Sequence, residues 1–162
     1  MTYPLPEGFR AVEIQDHLGQ KFEVVVSEKA DHYEEWLQTA RPFSAIAKVF
    51  DALLDGGGVF VDVGANIGTI SLPVARNGSR VISVEMLPFN CMKLNLAVRL
   101  NNLSRMTVVQ AAATNSMQML EFTGYGPWAA VTAGSSSPQY AAGFPLDHIL
   151  STVGDSLPGG EL

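Results

Sequence analysis

Apolar positions along the chain follow period two in some stretches and the helical period in others, and the switches between them mark out the elements. Residues 9–15 and 20–26 read as two short strands, with Phe22, Val24 and Val26 alternating, and Asp16-His17-Leu18-Gly19 between them is turn-forming, so the chain opens on a β-hairpin. Asp31 is placed to cap a first helix running to about Ala40, where Pro42 interrupts. A second helix carries Ile46, Phe50, Leu53 and Leu54 on one face and ends at Gly56-Gly57-Gly58. Val59-Phe60-Val61-Asp62-Val63 is a continuous apolar run too short for a helix, as expected of a strand buried on both faces in a parallel sheet. A helix is expected over 67–77 with Gly78 as its C-terminal cap, although Pro73 inside it should cost about 3 kcal/mol and kink it. Arg80 to Glu85 is a second buried strand. Pro88 then opens a helix with Met92, Leu96, Leu100 and Leu103 as its stripe, followed by a third strand over 106–111 and a shorter alternating one over 117–122.

Three strands separated by two helical segments make a βαβαβ half, for which parallel pairing and right-handed crossovers are the expected outcome. The fold class is therefore α/β, with a parallel, doubly wound sheet. From Thr123 onward Gly, Ser, Ala and Pro dominate, with Tyr125, Trp128, Tyr140 and Phe144 scattered among them. That stretch is either a loop contacting substrate or a poorly ordered tail.

Composition narrows the partners. A chain of 162 residues, 47% apolar and 16% charged, fits a single globular domain with a real core. Ten basic residues stand against 16 acidic ones, net −6, with no Lys/Arg cluster, so the attraction that nucleic acid or anionic membranes require is missing. A neutral or cationic small molecule, or a sugar, suits this charge better. Cys91 is the only cysteine and no Cys/His grouping has metal-ligand spacing, so no metal is implied and a reducing cytoplasm is the default setting. The first residues lack a basic region followed by an apolar one, and no apolar stretch is long enough to span a bilayer.

The candidate chemistry lies in Asp62-Val63-Gly64-Ala65-Asn66-Ile67-Gly68, where the first parallel strand gives way to a helix and where ligands of open α/β sheets bind. Gly64 lets the backbone turn sharply and approach a ligand, Gly68 allows close helix packing, and Asn66 tolerates the positive φ that such a turn requires. A carboxylate at position 62 would repel a pyrophosphate but suits a ligand with a positive amino group, which S-adenosylmethionine has and NAD lacks. Glu85 ends the next strand 23 residues later, placed to accept hydrogen bonds from both ribose hydroxyls. Met86 and Leu87 would offer apolar surface to the adenine, and Gln110-Ala111-Ala112 would cover its other face. Cys91, on a helix rich in Met and Leu, reads as a packed apolar residue, and His17, His32 and His148 as solvated or locally bonded. Tyr125 and Trp128 read as loop anchors.

These residues resemble the FkbM-type methyltransferases. The resemblance rests on the decapeptide Val59 to Gly68, on Val81-Ile82-Ser83-Val84-Glu85-Met86-Leu87-Pro88, on Leu100-Asn101-Asn102, on Val108 to Asn115, and on Phe144 to Leu150, and covers roughly residues 43–150. It implies a Rossmann-like domain that moves a methyl group from S-adenosylmethionine to an oxygen, often on a sugar or polyketide-like metabolite, with Asp62, Gly64, Asn66, Gly68 and Glu85 at the cofactor. It also implies a sheet truncated before its fourth core strand, since such enzymes continue into a strand resembling Ile-Lys-Ile-Asp-Val-Glu-Gly. The expected organisation is a hairpin extension over 1–28, an incomplete S-adenosylmethionine-binding domain over 29–150 and a tail over 151–162. The first parallel strand would be left as an open edge, prone to self-association. The alternatives are a non-catalytic remnant that holds adenosyl ligands and a nicotinamide-dependent oxidoreductase, the latter disfavoured by Asp62 and by the absence of Gly-x-Gly-x-x-Gly.

Overall fold

The computed structural model describes residues 4–16, 18–29, 31–39, 44–54, 58–132 and 134–154. The expectations placed on His17, Ala40, Pro42, Gly56-Gly57 and the end of the 151–162 tail fall outside these residues.

The hairpin forms as its alternation requires. β1 (Phe9–Gln15) pairs antiparallel with β2 (Lys21–Ser27), Phe9 opposite Ser27 and Gln15 opposite Lys21, and Asp16 Oδ1 accepts the N–H groups of Leu18 and Gln20, each at 2.8 Å, to hold the turn. The burial of β2 exceeds alternation, because Val24, Val25 and Val26 are all fully covered. Asp31 caps α1 (His32–Thr39). The N–H of Glu34 donates to Asp31 Oδ1 at 2.8 Å and the N–H of Asp31 donates to Glu34 Oε2 at 3.3 Å, a reciprocal capping box. In α2 (Ser44–Leu54) only part of the expected face is inward: Phe50 and Leu54 pack on the core, whereas Ile46 and Leu53 are 41% and 75% exposed.

β3 (Val59–Val63), β4 (Arg80–Glu85) and β5 (Met106–Gln110) form the expected parallel sheet in the order β3-β4-β5, Asp62 opposite Ser83 and Glu85 opposite Gln110. Among the described residues β3 is an edge strand. α3 (Ser71–Arg76) starts four residues later than the sequence suggests, which removes the anomaly of Pro73. The proline now falls in the first turn, where a backbone N–H has no intrahelical acceptor to lose. α4 (Pro88–Leu100) begins at its proline, but its buried face runs through Cys91, Leu94, Leu96 and Ala97, and Met92 is left outside.

The segment after Thr123 is neither a bare loop nor a tail. β6 (Ala112–Thr114), β7 (Gln118–Thr123), β8 (Ala130–Val131) and β9 (Gln139–Pro145) make a second sheet in the order β6-β9-β7-β8, and α5 (Leu146–Gly154) follows. Small residues allow the sheet to close, since a Cβ at Gly143 would meet Thr114 Cγ2 at 2.7 Å.

Two apolar layers cover the parallel sheet. On one face Phe60, Val81, Met106 and Val108 pack with the β2 valines, Leu37, Leu72, Val74, Leu94 and Ala97. On the other, Val59, Ile82, Val84 and Val109 pack with Ile149, Leu150 and Val153 of α5. Each fully buried aliphatic side chain contributes about 1.5–3 kcal/mol relative to exposure, so these layers dominate the stability of the α/β unit. Inside the first layer Lys93 bonds Glu34, both nearly fully buried, and lies 4.7 Å over the Phe89 ring. The pair ties α1 to α4 and compensates each charge for lost hydration. Asn101 adds a second tie. Its Oδ1 accepts the N–H of Glu23 at 2.8 Å and its Nδ2 donates to the Glu23 carbonyl at 2.6 Å. No helix among the described residues is long and apolar enough to cross a membrane.

Candidate cofactor site

The turn leaving β3 adopts the strained backbone that its residues permit. Gly64, Asn66 and Gly68 have φ of 83°, 52° and 86°. The N–H groups of Gly64 and Ala65 both donate to the Val84 carbonyl, at 2.8 and 3.1 Å, which draws the turn against the end of β4. There Glu85 fixes it: Oε2 accepts the N–H of Asn66 and Oε1 accepts the N–H of Leu87, each at 2.8 Å. The N–H of Ala111 donates to the Glu85 carbonyl at 3.0 Å and brings the third strand end to the same place.

These three strand ends open on a cavity of about 500 Å³, within the usual range for small-ligand sites. Of the nine residues assigned to the cofactor from sequence, Gly64, Asn66, Glu85, Met86, Ala111 and Ala112 line it. No atom stands within 4 Å of where a Gly64 Cβ would lie, so backbone is presented to the opening. Ala65, Gly68 and Asp62 do not line it. Ala65 is buried in the core, and Gly68 is a packing glycine, since a Cβ there would meet Leu94 Cδ1 at 2.3 Å.

Asp62 lies beside the cavity, toward α3. Its carboxylate accepts the Ser71 hydroxyl, which in turn accepts Ser83 Oγ at 2.8 Å. Burial pushes the Asp62 carboxyl above the usual carboxylate range, and the Ser71 bond pulls it part of the way back. Tyr33 of α1 reaches the same end, with its Oη 3.1 Å from Thr69 Oγ1. Burial raises the phenol, the Thr69 bond opposes the rise, and the negative charges of Asp31 and Asp62 add to it.

Sequence reasoning missed Tyr33, Thr69 and Ser71. It also missed the outer wall of the cavity, formed by Leu120, Gly126, Pro127, Ala129 and Val131. The Asp31-x-x-Glu34 box was the one available signal for Tyr33, because it sets the phase of α1. Tyr125 and Trp128 are not anchors: they touch edge-on at 6.3 Å and are 68% and 57% exposed at the rim of that wall. Cys91 is the packed residue expected. Its thiol donates to the Glu85 carbonyl at 3.1 Å and is pushed up to about 12, first by burial and then by the Glu85 charge, so it is no nucleophile at neutral pH. His32 faces solvent 3.6 Å from Glu35, and the exposed His148 stacks on Phe144 at 5.7 Å.

The donor set fits S-adenosylmethionine. An open backbone turn, a carboxylate at the second strand end and apolar residues beyond it suit an adenosyl group, and a second carboxylate beside the turn suits an ammonium.

No family profile matches the chain, and no curated protein matches it. Its fold is similar to parts of several solved structures. One is the 16S rRNA methyltransferase RsmC of T. thermophilus, solved with AdoMet and guanosine, at 24% identity and a TM-score of 0.48 over 67% of this chain and 29% of that one. Another is TYW2 of P. horikoshii in complex with MeSAdo, at 20% identity and 0.47 over 66% of this chain and 37% of that one. A precorrin-6y methyltransferase from Geobacter metallireducens follows at 17% identity and 0.37, over 54% of this chain and 44% of that one. The chain spans less than half the length of each of these structures.

Proposed function

We propose that this chain is the cofactor-binding part of an S-adenosylmethionine-dependent methyltransferase of the FkbM type, acting on an oxygen of a small metabolite or sugar. The observation that carries the reading is the 2.8 Å bond from the Asn66 N–H to Glu85 Oε2, which joins the glycine turn of β3 to the acid ending β4 at the mouth of one cavity. In this reading Gly64 and Asn66 approach the ligand through backbone, Glu85 takes the ribose hydroxyls, Met86, Ala111 and Ala112 flank the adenine, and Asp62 faces the ammonium. Ala65 and Gly68 keep the turn in shape. Bound S-adenosylmethionine supplies an electrophilic methyl group, and the protein's part is to hold an acceptor in line with it. The net charge of −6 favours a neutral or cationic small acceptor over nucleic acid, and the reduced, buried Cys91 suits a cytoplasmic setting.

The second reading is adenosyl binding without turnover, in which the same turn and Glu85 hold the ligand. Calorimetry with S-adenosylmethionine, S-adenosylhomocysteine and NAD tests the common core of both readings. Adenosyl-sulfur ligands should bind in preference to NAD. Tight NAD binding with no adenosyl-sulfur binding would sink both, and methyl transfer to a sugar or polyketide hydroxyl would separate them.

A further inference from the structure

The cofactor reading assigns nothing to the outer wall of the cavity, which is built on one face of the second sheet. Alternation puts Leu120 and Phe122 of β7 on the same face, and the pairing of Phe122 with Val131 adds β8 to it. Leu120 and Val131 line the cavity, while Phe122 is buried with Leu87 and Ala141 and packed by Met86 and Ala129. The wall is thereby joined to the end of β4 and stands in place before a ligand arrives. The turn between β7 and β8 adds Gly126, Pro127 and Ala129, and it is tightly closed, since a Cβ at Gly124 would meet the Trp128 carbonyl oxygen at 2.8 Å.

The chemistry of this wall is uniform. Leu120, Gly126, Pro127, Ala129 and Val131 carry no polar side-chain atom. Among the described residues that line the cavity Glu85 is the only ionisable one, and its oxygens already accept the N–H groups of Asn66 and Leu87. The Thr114 hydroxyl is also taken, donating to the Ser116 carbonyl at 2.7 Å. Val131 is nonetheless 59% exposed, and the rings of Tyr125 and Trp128 border the same turn largely bare. Apolar surface left open at the mouth of a cavity marks a place for a ligand. A sugar laid on this wall would lose water from hydroxyls that find no partner there, whereas a neutral apolar ring gives up nothing.

We propose that this wall seats the acceptor and that the acceptor is a neutral aromatic alcohol, its ring against Leu120, Pro127 and Val131 and its far edge toward Tyr125 and Trp128. The proposal rests on the cofactor reading above and narrows the acceptor within it from small metabolites and sugars to hydroxylated aromatic rings.

The test is calorimetry on the whole chain saturated with S-adenosylhomocysteine, with 2-naphthol, its saturated counterpart decahydro-2-naphthol, and methyl glucoside as probes. 2-Naphthol should bind roughly 2- to 12-fold tighter than the saturated alcohol, the advantage of aromatic contact beyond its area, and methyl glucoside should bind weakest. Val131→Asp, at an exposed position, should weaken 2-naphthol about 10-fold or more by setting a charge against the ring, while Val131→Leu retains it and both variants keep S-adenosylhomocysteine within about twofold. No binding of 2-naphthol, equal affinity for the two naphthols, methyl glucoside binding as tightly, or indifference to Val131→Asp would each overturn the proposal. Displacement of S-adenosylhomocysteine by 2-naphthol would overturn it too, by putting the ring in the place of the adenine. In all of these outcomes S-adenosylhomocysteine binds and the cofactor reading stands; its failure to bind the wild type overturns that reading and the acceptor seat with it.

Discussion

Replacing Glu85 probes the fold and the site together, because its carboxylate supports the turn before any ligand arrives. Glu85→Ala strips the acceptor from the N–H groups of Asn66 and Leu87, both bonded at 2.8 Å. An unmet buried donor costs about 1–3 kcal/mol, and water entering from the cavity relieves the Asn66 side, so a net loss of about 2–4 kcal/mol is expected. The turn is then free to lose its shape, and adenosyl affinity should fall by a further 1.5–3 kcal/mol, roughly 10- to 150-fold, for the ribose bonds. Glu85→Gln keeps one acceptor oxygen but sets an NH₂ against the other amide, so it should lose about half as much stability. Urea unfolding of the ligand-free protein gives the first number and calorimetry with S-adenosylhomocysteine the second. Unchanged unfolding in Glu85→Ala would refute the bracing argument. Unchanged affinity in a variant that still folds would refute the ribose assignment.

Gly68→Ala must fit a Cβ 2.3 Å from Leu94 Cδ1 and 3.0 Å from Leu72 Cγ at φ of 86°, so a stability loss of about 1–3 kcal/mol by urea unfolding is expected, and a neutral result would contradict the packing described. Asn66→Val should lower the melting temperature and cofactor affinity more than Asn66→Gly, because φ of 52° suits glycine and strains a β-branched residue; equal behaviour of the two would remove the strained-turn argument. The Asp62 carboxyl is raised by burial, so ionising it costs stability progressively as pH rises through its folded value and nothing below its unfolded one. A ligand ammonium needs the ionised form, so affinity for S-adenosylhomocysteine should rise through that same pH window and the rise should vanish in Asp62→Asn; a flat profile in the wild type would dismiss the pairing. Among the described residues β3 pairs on one side only, and that edge should produce concentration-dependent association in size-exclusion chromatography, reduced by Val63→Lys; a monomer at every concentration would show that the edge is protected.

The parts of this molecule legible in its sequence are those governed by local sterics and short-range periodicity. Gly64, Asn66 and Gly68 were readable because few residues accept positive φ, and all three have it. The parallel strands were readable because a five-residue apolar run has too few residues for a helix. The onset of α3 was not, since residues 67–70 are as apolar as the helix that follows, and only the tertiary turn around Gly68 delays it to Ser71. The second sheet was hidden for a related reason: Gly143 carries no apolar signal, yet its smallness is what lets β9 approach β6. At the site, residues within one turn of a strand end were found and residues arriving from elsewhere were not. Tyr33 meets Thr69 across 36 positions, and the local Asp31-x-x-Glu34 box sets the phase of α1 without announcing that partner.

The docking of the hairpin on α4 sets an order of events during synthesis. Val24, Val25 and Val26 are fully covered in the folded chain, and Leu94 belongs to the same apolar cluster. On the ribosome the valines emerge first, and Leu94 follows about 70 residues later, roughly 4–14 s at ordinary elongation rates. The charge on Glu34 waits through a similar interval for Lys93, and Glu23 for the amide of Asn101. The nascent chain thus carries a bare, β-prone apolar strip for seconds before its cover exists, an interval in which the hairpin is open to mispairing with another chain.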